Sequence, residues 1–303
     1  MSMLSNSGKE SRGMLLALLG VIMFAGTAPA TKVALTSLSP LFIASGRAVV
    51  SGVVACAILI VARARLPQPK QFLILFFAGI MIVIAYPVLL TIALETVPAS
   101  HSGVILGILP LTSAAAARVL LKERPSPRFW LFAIAGSSVV ISYSSSGTQL
   151  GVGIGDIYIL AAAVLTSIGY AYSGLLVRSF SGWEVICWML VLTLPISLPL
   201  AMLHPPTDAM LVHHEAWFAF AYVSLFSMLI GFFAWNAGIA LAGVSLAGQM
   251  QLFLPFITIG LAATINGDTI DLKTIIAAIV IVVIVALSPK TLTTPATIPI
   301  VKT

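Results

Sequence analysis

"GVILGILPL" at residues 103–111 and "GQMQLFLPF" at residues 248–256 set a glycine and a proline seven residues apart twice, at an offset of 145 positions. Each copy lies in a stretch so apolar that proline, which lacks an N–H and clashes with the preceding helical turn, is an unfavourable choice. The same offset aligns Ser100 with Ser245 and Glu123 with Asp268, and each acid is followed by the segment that closes its part of the chain. The chain therefore reads as two related halves. Proline is admissible within such segments where neighbouring helices, hydroxyls or water satisfy the carbonyl it frees. The spacing Gly103-x-x-x-Gly107 permits a second helix to approach closely.

Composition says where such segments reside. Hydrophobic residues make up 60% of the 303 positions and charged residues 8%, with a mean hydropathy of +1.13. Soluble domains carry about 25% charged residues, so the chain belongs in a bilayer. A hydrocarbon core of about 30 Å takes about 20 apolar residues per helical crossing. Ten stretches qualify, at 13–35, 40–62, 71–94, 99–121, 128–145, 153–177, 183–203, 215–236, 242–265 and 272–288. A barrel needs alternating segments of about ten residues, whereas "AAIVIVVIVAL" (277–287) is continuous. The fold class is all-α and integral to the membrane.

Lys and Arg in short loops stay on the cytoplasmic side. With the N-terminus inside, Lys9, Arg12, Arg63, Arg65, Lys70, Arg118, Lys122, Arg124, Arg128, Arg178, Lys290 and Lys302 fall on the inner side, and only Lys32, Arg47 and Lys273 on the outer half. Both termini are thus expected in the cytoplasm. Five crossings per half send the second half into the membrane from the opposite side, so the repeats are inverted, and inverted repeats place a substrate site at their interface near the midplane. The organisation is a cytoplasmic segment at 1–12, a first five-helix repeat at 13–145, a second, inverted one at 153–288 and a disordered tail at 289–303.

The same topology accounts for the pI of 9.6. Its positive charge is spread over inner loops without the interleaved aromatics of a single-strand groove, which argues against a nucleic-acid partner. Cys56 and Cys187 lie within spans without CxxC spacing and read as small packing residues. His213 and His214 have no metal-ligand partner at useful spacing, and no cofactor is implied. Lys9 and Arg12 before "MLLALLGVIMFAG" and Ala28-Pro29-Ala30 imitate a secretory signal, but the apolar run continues to Leu35, so the first helix is expected to be retained. "GIGD" (153–156) lacks the second, facing aspartate of a two-carboxylate protease. Trp183, Trp188, Trp217 and Trp235 are placed near span ends, as in an interfacial belt.

"FAGTAPATKVAL" with "SPLFIASGRAVVSG" resembles the first two helices of the EamA-type members of the drug/metabolite transporter superfamily. "LLKERPSPRFWLFAIAGSSVVI" resembles that family's junction between helices four and five, and "NGDTIDLKTIIAAIVIVVI" is similar to its second copy, with Asp268 where Glu is usual. Within the superfamily the chain is most similar to the YddG-like bacterial amino-acid exporters. The resemblance implies ten helices and a central cavity lined mainly by helices 1, 3, 4, 6, 8 and 9. It also implies export of small metabolites across a bacterial inner membrane and a monomer.

The residues themselves suggest how such a cavity works. No Asp or Glu occupies the middle of any span, and an intramembrane carboxylate is the usual proton relay and cation partner. An uncharged cavity is therefore expected, suited to amino acids with aromatic or other neutral side chains; another neutral metabolite or a drug is the alternative cargo. Gly248, Gln251 and Pro255 share one helical face, as do their repeat partners Gly103, Leu106 and Pro110. Gln251 and Leu106 are thus candidate substrate contacts, joined by Thr27, Tyr86 and Tyr170 and by the two buried cations, Arg47 and Lys32. Each of these has a structural reading beside the functional one: interhelical hydrogen bonding for Gln251, Arg47 and Lys32, core packing for Tyr170, and a kink cap for Thr27. Pro29, Pro87, Gly103, Pro110, Gly248 and Pro255 are the expected hinges for alternating access, in which the two halves rock about the cavity.

Overall fold

The computed structural model describes residues 2–121, the helical positions 131, 132, 134–136, 138, 139, 142 and 143, and residues 153–206 and 208–287. All regular structure among the described residues is helical. Seven helices are long and apolar enough to cross a membrane: Gly8–Ala34, Pro40–Val61, Pro69–Thr96, Ile154–Leu176, Gly182–Leu203, His214–Val244 and Ala247–Ile265. The pair Ala99–Leu106 and Leu109–Leu120, bent by 41°, makes up to an eighth, and Leu272–Ile284 is a shorter apolar helix. The expected fifth segment, 128–145, lies largely outside the described residues, and so does the tail at 289–303.

Two boundaries differ most from the sequence reading. The first helix begins at Ser2 rather than 13, because nothing in residues 2–12 breaks a helix and the polar first turns simply extend the apolar ones. The eighth span continues past 236 to Val244, since "NAGIALAG" carries no breaker until Gly243. There the backbone turns at φ +81°, a conformation that only glycine adopts without strain, and the ninth span follows. In consequence Trp235 does not sit in an interfacial belt; it is 1% exposed, and Trp188 is likewise buried.

Pro87, Pro110 and Pro255 fall at the starts of helices, where a missing N–H costs nothing, whereas Pro195 and Pro199 lie inside Gly182–Leu203. Pro87 opens Tyr86–Thr96 after a π-helical stretch, Ile80–Ala85. Pro110 follows the 41° bend, and Pro255 opens Leu254–Ile265 after the 3-10 turn Met250–Phe253. Pro29, in Thr27–Ala34, would leave the carbonyl of Ala25 without its i+4 donor, and the hydroxyl of Thr258 donates to that oxygen at 3.1 Å. These irregularities recur at the offset of 145: residues 80–85 map onto 225–230, within the π-helical Tyr222–Ile230, and the bend at 107–108 maps onto 252–253.

Pairing between helices follows the same offset. The first span packs along the eighth as the sixth packs along the third, while the second lies on the seventh and Ala99–Leu106 crosses Leu254–Ile265. Small residues set the first of these contacts. A Cβ added to Gly238 would lie 2.7 Å from the Ala17 nitrogen, and one on Gly13 would lie 2.7 Å from that of Ala242. Backbone cannot yield as a side chain does. Gly238→Ala is expected to destabilise the detergent-solubilised protein by about 1–3 kcal/mol through overpacking. Gly260→Ala, with nothing within 4 Å of the added carbon, should be neutral or stabilising. Thermal melting of the two variants checks the sign of each.

Candidate functional site

The helix breaks converge on one place. A cavity with about 580 Å³ of space between its lining atoms, its mouth included, lies among helices from both halves. Thr27 follows the break at Gly26, and Ile82 and Tyr86 come from the first π-helical stretch and its end. Leu106 and Leu109 flank the bend, Ser227 and Met228 belong to the second π-helical stretch, and Gln251 and Leu254 bracket the 3-10 turn. Two unbroken helices complete the wall, Pro40–Val61 with Arg47 and Ile154–Leu176 with Tyr170.

Six of the residues singled out from sequence, Thr27, Arg47, Tyr86, Leu106, Tyr170 and Gln251, thus line the same cavity. Lys32 does not. Its ammonium donates to the carbonyl of Leu94 at 2.6 Å and to that of Val97 at 3.2 Å, tying the first span to the carboxyl end of the third. Among the expected hinges, Gly103 packs against Thr258, with an added Cβ 2.9 Å from the threonine Cβ, whereas Gly248 has nothing within 4 Å of such an atom.

Nor is the cavity uncharged, as the sequence suggests it should be. The depth of Arg47 in its helix allows the side chain to reach the interface, but the guanidinium turns inward and the residue is 2% exposed. Its Nη2 donates to the Ser227 hydroxyl at 3.4 Å, and Ser227 shares a 2.6 Å hydrogen bond with Thr27. Nε and Nη1 have no partner, and neither has Oε1 of the buried Gln251 across the wall. Among the described residues no carboxylate lines the cavity to offset the charge.

The rest of the wall is apolar and aromatic. Phe24 meets Phe232 with ring centroids 4.8 Å apart, Tyr170 lies 6.2 Å from Phe232, and Trp235 stands behind at 5.0 Å from Tyr170. Sequence reasoning missed Phe24, Phe232, Ser227 and Thr258. Thr258 was recoverable, being seven residues from Gln251 on the same face. Ser227 was not, because a π-helical stretch shifts the phase of the residues that follow it.

A second polar cluster ties the ends of the spans that carry Lys32. His101 Nε2 and Asp156 Oδ1 are 2.7 Å apart, with the imidazole stacked on Tyr143 at 4.8 Å. Asp268 accepts from the Ser100 nitrogen and hydroxyl at 2.9 and 2.8 Å, placing an anion at the start of Ala99–Leu106. Asn266 donates to the carbonyl of Pro29 at 3.1 Å. The Asp271 carboxylate accepts from the Thr274 hydroxyl and nitrogen at 2.6 and 2.8 Å, which holds its pKa below the ordinary carboxylate value. The His101–Asp156 contact joins the two halves, and a double-mutant cycle with His101→Gln and Asp156→Asn should return a coupling of about 1 kcal/mol or more. Additive melting shifts would show that the pair contributes no cohesion.

Comparison with known proteins gives this geometry a context. The profile of the EamA-like transporter family matches twice, over residues 11–143 and 153–288. A Bacillus subtilis (strain 168) protein named as the transporter YdeK is 36% identical over 278 residues, covering 92% of this chain and 97% of the relative. A protein of Streptantibioticus cattleyicolor named as a probable terminal-alkyne amino-acid exporter is 26% identical over 266 residues, covering 86% of this chain and 87% of the relative. A solved crystal structure superposes with a TM-score of 0.68 over 91% of this chain and 97% of its own, at 19% identity, a likeness of fold.

Proposed function

The chain belongs to the EamA-like transporter family, and from that premise we propose that it exports amino acids with aromatic or other neutral side chains, and related small metabolites, by alternating access across a bacterial inner membrane. The observation that carries the reading is the cavity itself. Helices of both halves interrupt their regular hydrogen bonding around it, and irregular backbone at membrane depth is tolerated where it lines a cavity. Interrupted helices that meet between repeats are the pattern in which transporters place their substrate site.

The lining supports the substrate class. Phe24, Tyr86, Tyr170 and Phe232 present rings to an apolar side chain, while Thr27, Gln251 and Thr258 offer uncharged polar groups to its backbone atoms. The amino-acid exporter among the relatives points the same way. The double match of the family profile, the matched irregularities and the exchangeable helix pairings support two repeats, and the basic residues of the inner loops support termini in the cytoplasm. In this reading Pro29, Pro87, Pro110 and Pro255 mark the bending points, Gly103 and Gly248 flank two of them, and the working unit is a monomer.

No acidic residue lines the cavity, so export is expected to follow the substrate gradient rather than a proton gradient. The test is efflux from liposomes loaded with labelled phenylalanine, tryptophan and leucine, with and without a pH difference. Efflux that ignores the pH difference is the expected result; efflux of none of them rejects amino-acid export, and efflux that needs the pH difference rejects the gradient-driven mode. Gly103→Leu, which would press on Thr258, and Pro110→Ala should cut the rate about tenfold or more at unchanged membrane abundance, since small misplacements at a transport site carry such factors. Wild-type rates in both would remove helix 4 from the mobile elements.

A further inference from the structure

We infer that Arg47 is the anion anchor of the cavity and that the substrate must carry a carboxylate. The inference rests on the transport reading only for the identity of the cavity as the substrate site. Arg47 is 2% exposed, so bulk water does not satisfy its charge. The whole guanidinium makes one long hydrogen bond, 3.4 Å to a Ser227 hydroxyl that is already engaged with Thr27. Nε and Nη1 are left without a partner, and no Asp or Glu stands on the cavity wall. A buried guanidinium normally meets a carboxylate or a network of oxygens, because a buried charge left unpaired is among the most costly arrangements in a protein. Here the missing partner has a place to stand, since the same side chain lines a cavity.

The shape of the donor selects the class of anion. Guanidinium presents its N–H groups as a planar fork that matches the two oxygens of a carboxylate. A phosphate monoester, with a charge near two, calls for more than one cation or a cluster of backbone N–H groups. Among the described residues Arg47 is the only cation on the cavity wall, and every other lining residue is uncharged. Gln251 carries the complementary signal. Its buried Oε1 is an acceptor without a donor, which suits an N–H group borne by the same ligand. Between the two, the rings of Tyr86, Tyr170 and Phe232 leave the remainder of the ligand an apolar surface.

The anchor is tested on the purified full-length protein by ligand-induced thermal stabilisation and competition with four probes: phenylalanine, 3-phenylpropanoate, phenylalaninamide and phenyl phosphate. The two carboxylates should bind, and the amide and the phosphate should bind about a hundredfold more weakly, the range that follows when one partner of a desolvated, hydrogen-bonded charge pair is removed. Arg47→Gln should abolish the preference for the acid over the amide, and Arg47→Lys should restore part of it, since it keeps the charge without the fork. Equal binding of acid and amide by the wild-type protein overturns the anchor, as does tighter binding of the phosphate, failure of both carboxylates to bind, or a folded Arg47→Gln variant that keeps the acid preference. Should Arg47→Gln not fold, the wild-type series alone decides. Binding of phenylpropanoate without phenylalanine would leave the anchor standing and reject amino-acid export; export of phenylalanine together with equal binding of its amide would do the reverse.

Discussion

Backbone N–H and C=O groups in hydrocarbon have no water to turn to, so each must be satisfied within the protein. That constraint decides where these helices can stop being regular. The break at Gly26, the π-helical stretches Ile80–Ala85 and Tyr222–Ile230, the bend after Leu106 and the 3-10 turn Met250–Phe253 could have been scattered along the spans. Each contributes or adjoins residues on the wall of the same cavity. The irregular backbone clusters around protein-lined space, although Phe226 and Ile230 of the second π-helical stretch and Pro195 and Pro199 within Gly182–Leu203 lie on exposed faces. Where proline frees a carbonyl, a partner is supplied across the helix contact, as Thr258 does for Ala25.

How much of this the amino-acid sequence discloses depends on whether the signal is local. Apolar length and proline position are local, and they agree with the described spans and with the breaks beside Pro29, Pro87, Pro110 and Pro255, though not with the turn at Gly243 or the unbroken helix around Pro195 and Pro199. The offset between Pro110 and Pro255 is also a plain sequence property, and the matched irregularities follow it. Orientation of a side chain about its helix is less local. A period of 3.6 put Gln251 on the cavity wall, but it hid Ser227, because five-residue hydrogen-bond spacing rotates the face by roughly one position. Lys32 and Arg47 show the same limit. Both are long cations in apolar helices, Lys32 close to the end of its span and Arg47 about two turns into its own. One finds two carbonyls at the end of a neighbouring helix, and the other turns into the cavity. Only the packing of the third and eighth spans separates the two outcomes.

Charge sets the cavity apart from the rest of the span interior. Buried hydroxyls elsewhere, such as those of Ser51 and Ser224, bond to carbonyls of their own or a packed helix and so contribute cohesion. Other buried hydroxyls, such as those of Thr31, Thr91, Ser173 and Ser197, have no partner; at the cavity the unpartnered groups are donors of the charged Arg47 and an acceptor of Gln251. Unsatisfied polar groups destabilise a protein, and they persist where something other than stability depends on them. An unpaired buried charge in a cavity that Gln251 and several aromatic rings also line is what distinguishes this space from a packing defect.

The glycine contacts also constrain which helices can move together. Gly238 sits with backbone against Ala17, and Gly13 against Ala242, so the first and eighth spans are held at backbone distance along much of their length. Gly155 lies against Thr96 and Val97, and Gly169 against Ile82, so the sixth and third spans are held in the same way. Each tight pair takes one helix from each half of the sequence. A motion that swung the halves past one another as rigid bodies would have to part these contacts, where van der Waals packing at close range is the main source of helix association in a bilayer. The contacts between Ala99–Leu106 and Leu254–Ile265, by contrast, flank the bend and the 3-10 turn, where regular hydrogen bonding is already interrupted and rotation costs least. For the proposed alternating access these contacts favour tilting of the cross-half pairs 1–8 and 3–6 relative to each other. The broken fourth and ninth spans act as the joints, and the cavity lies where the two pairs meet.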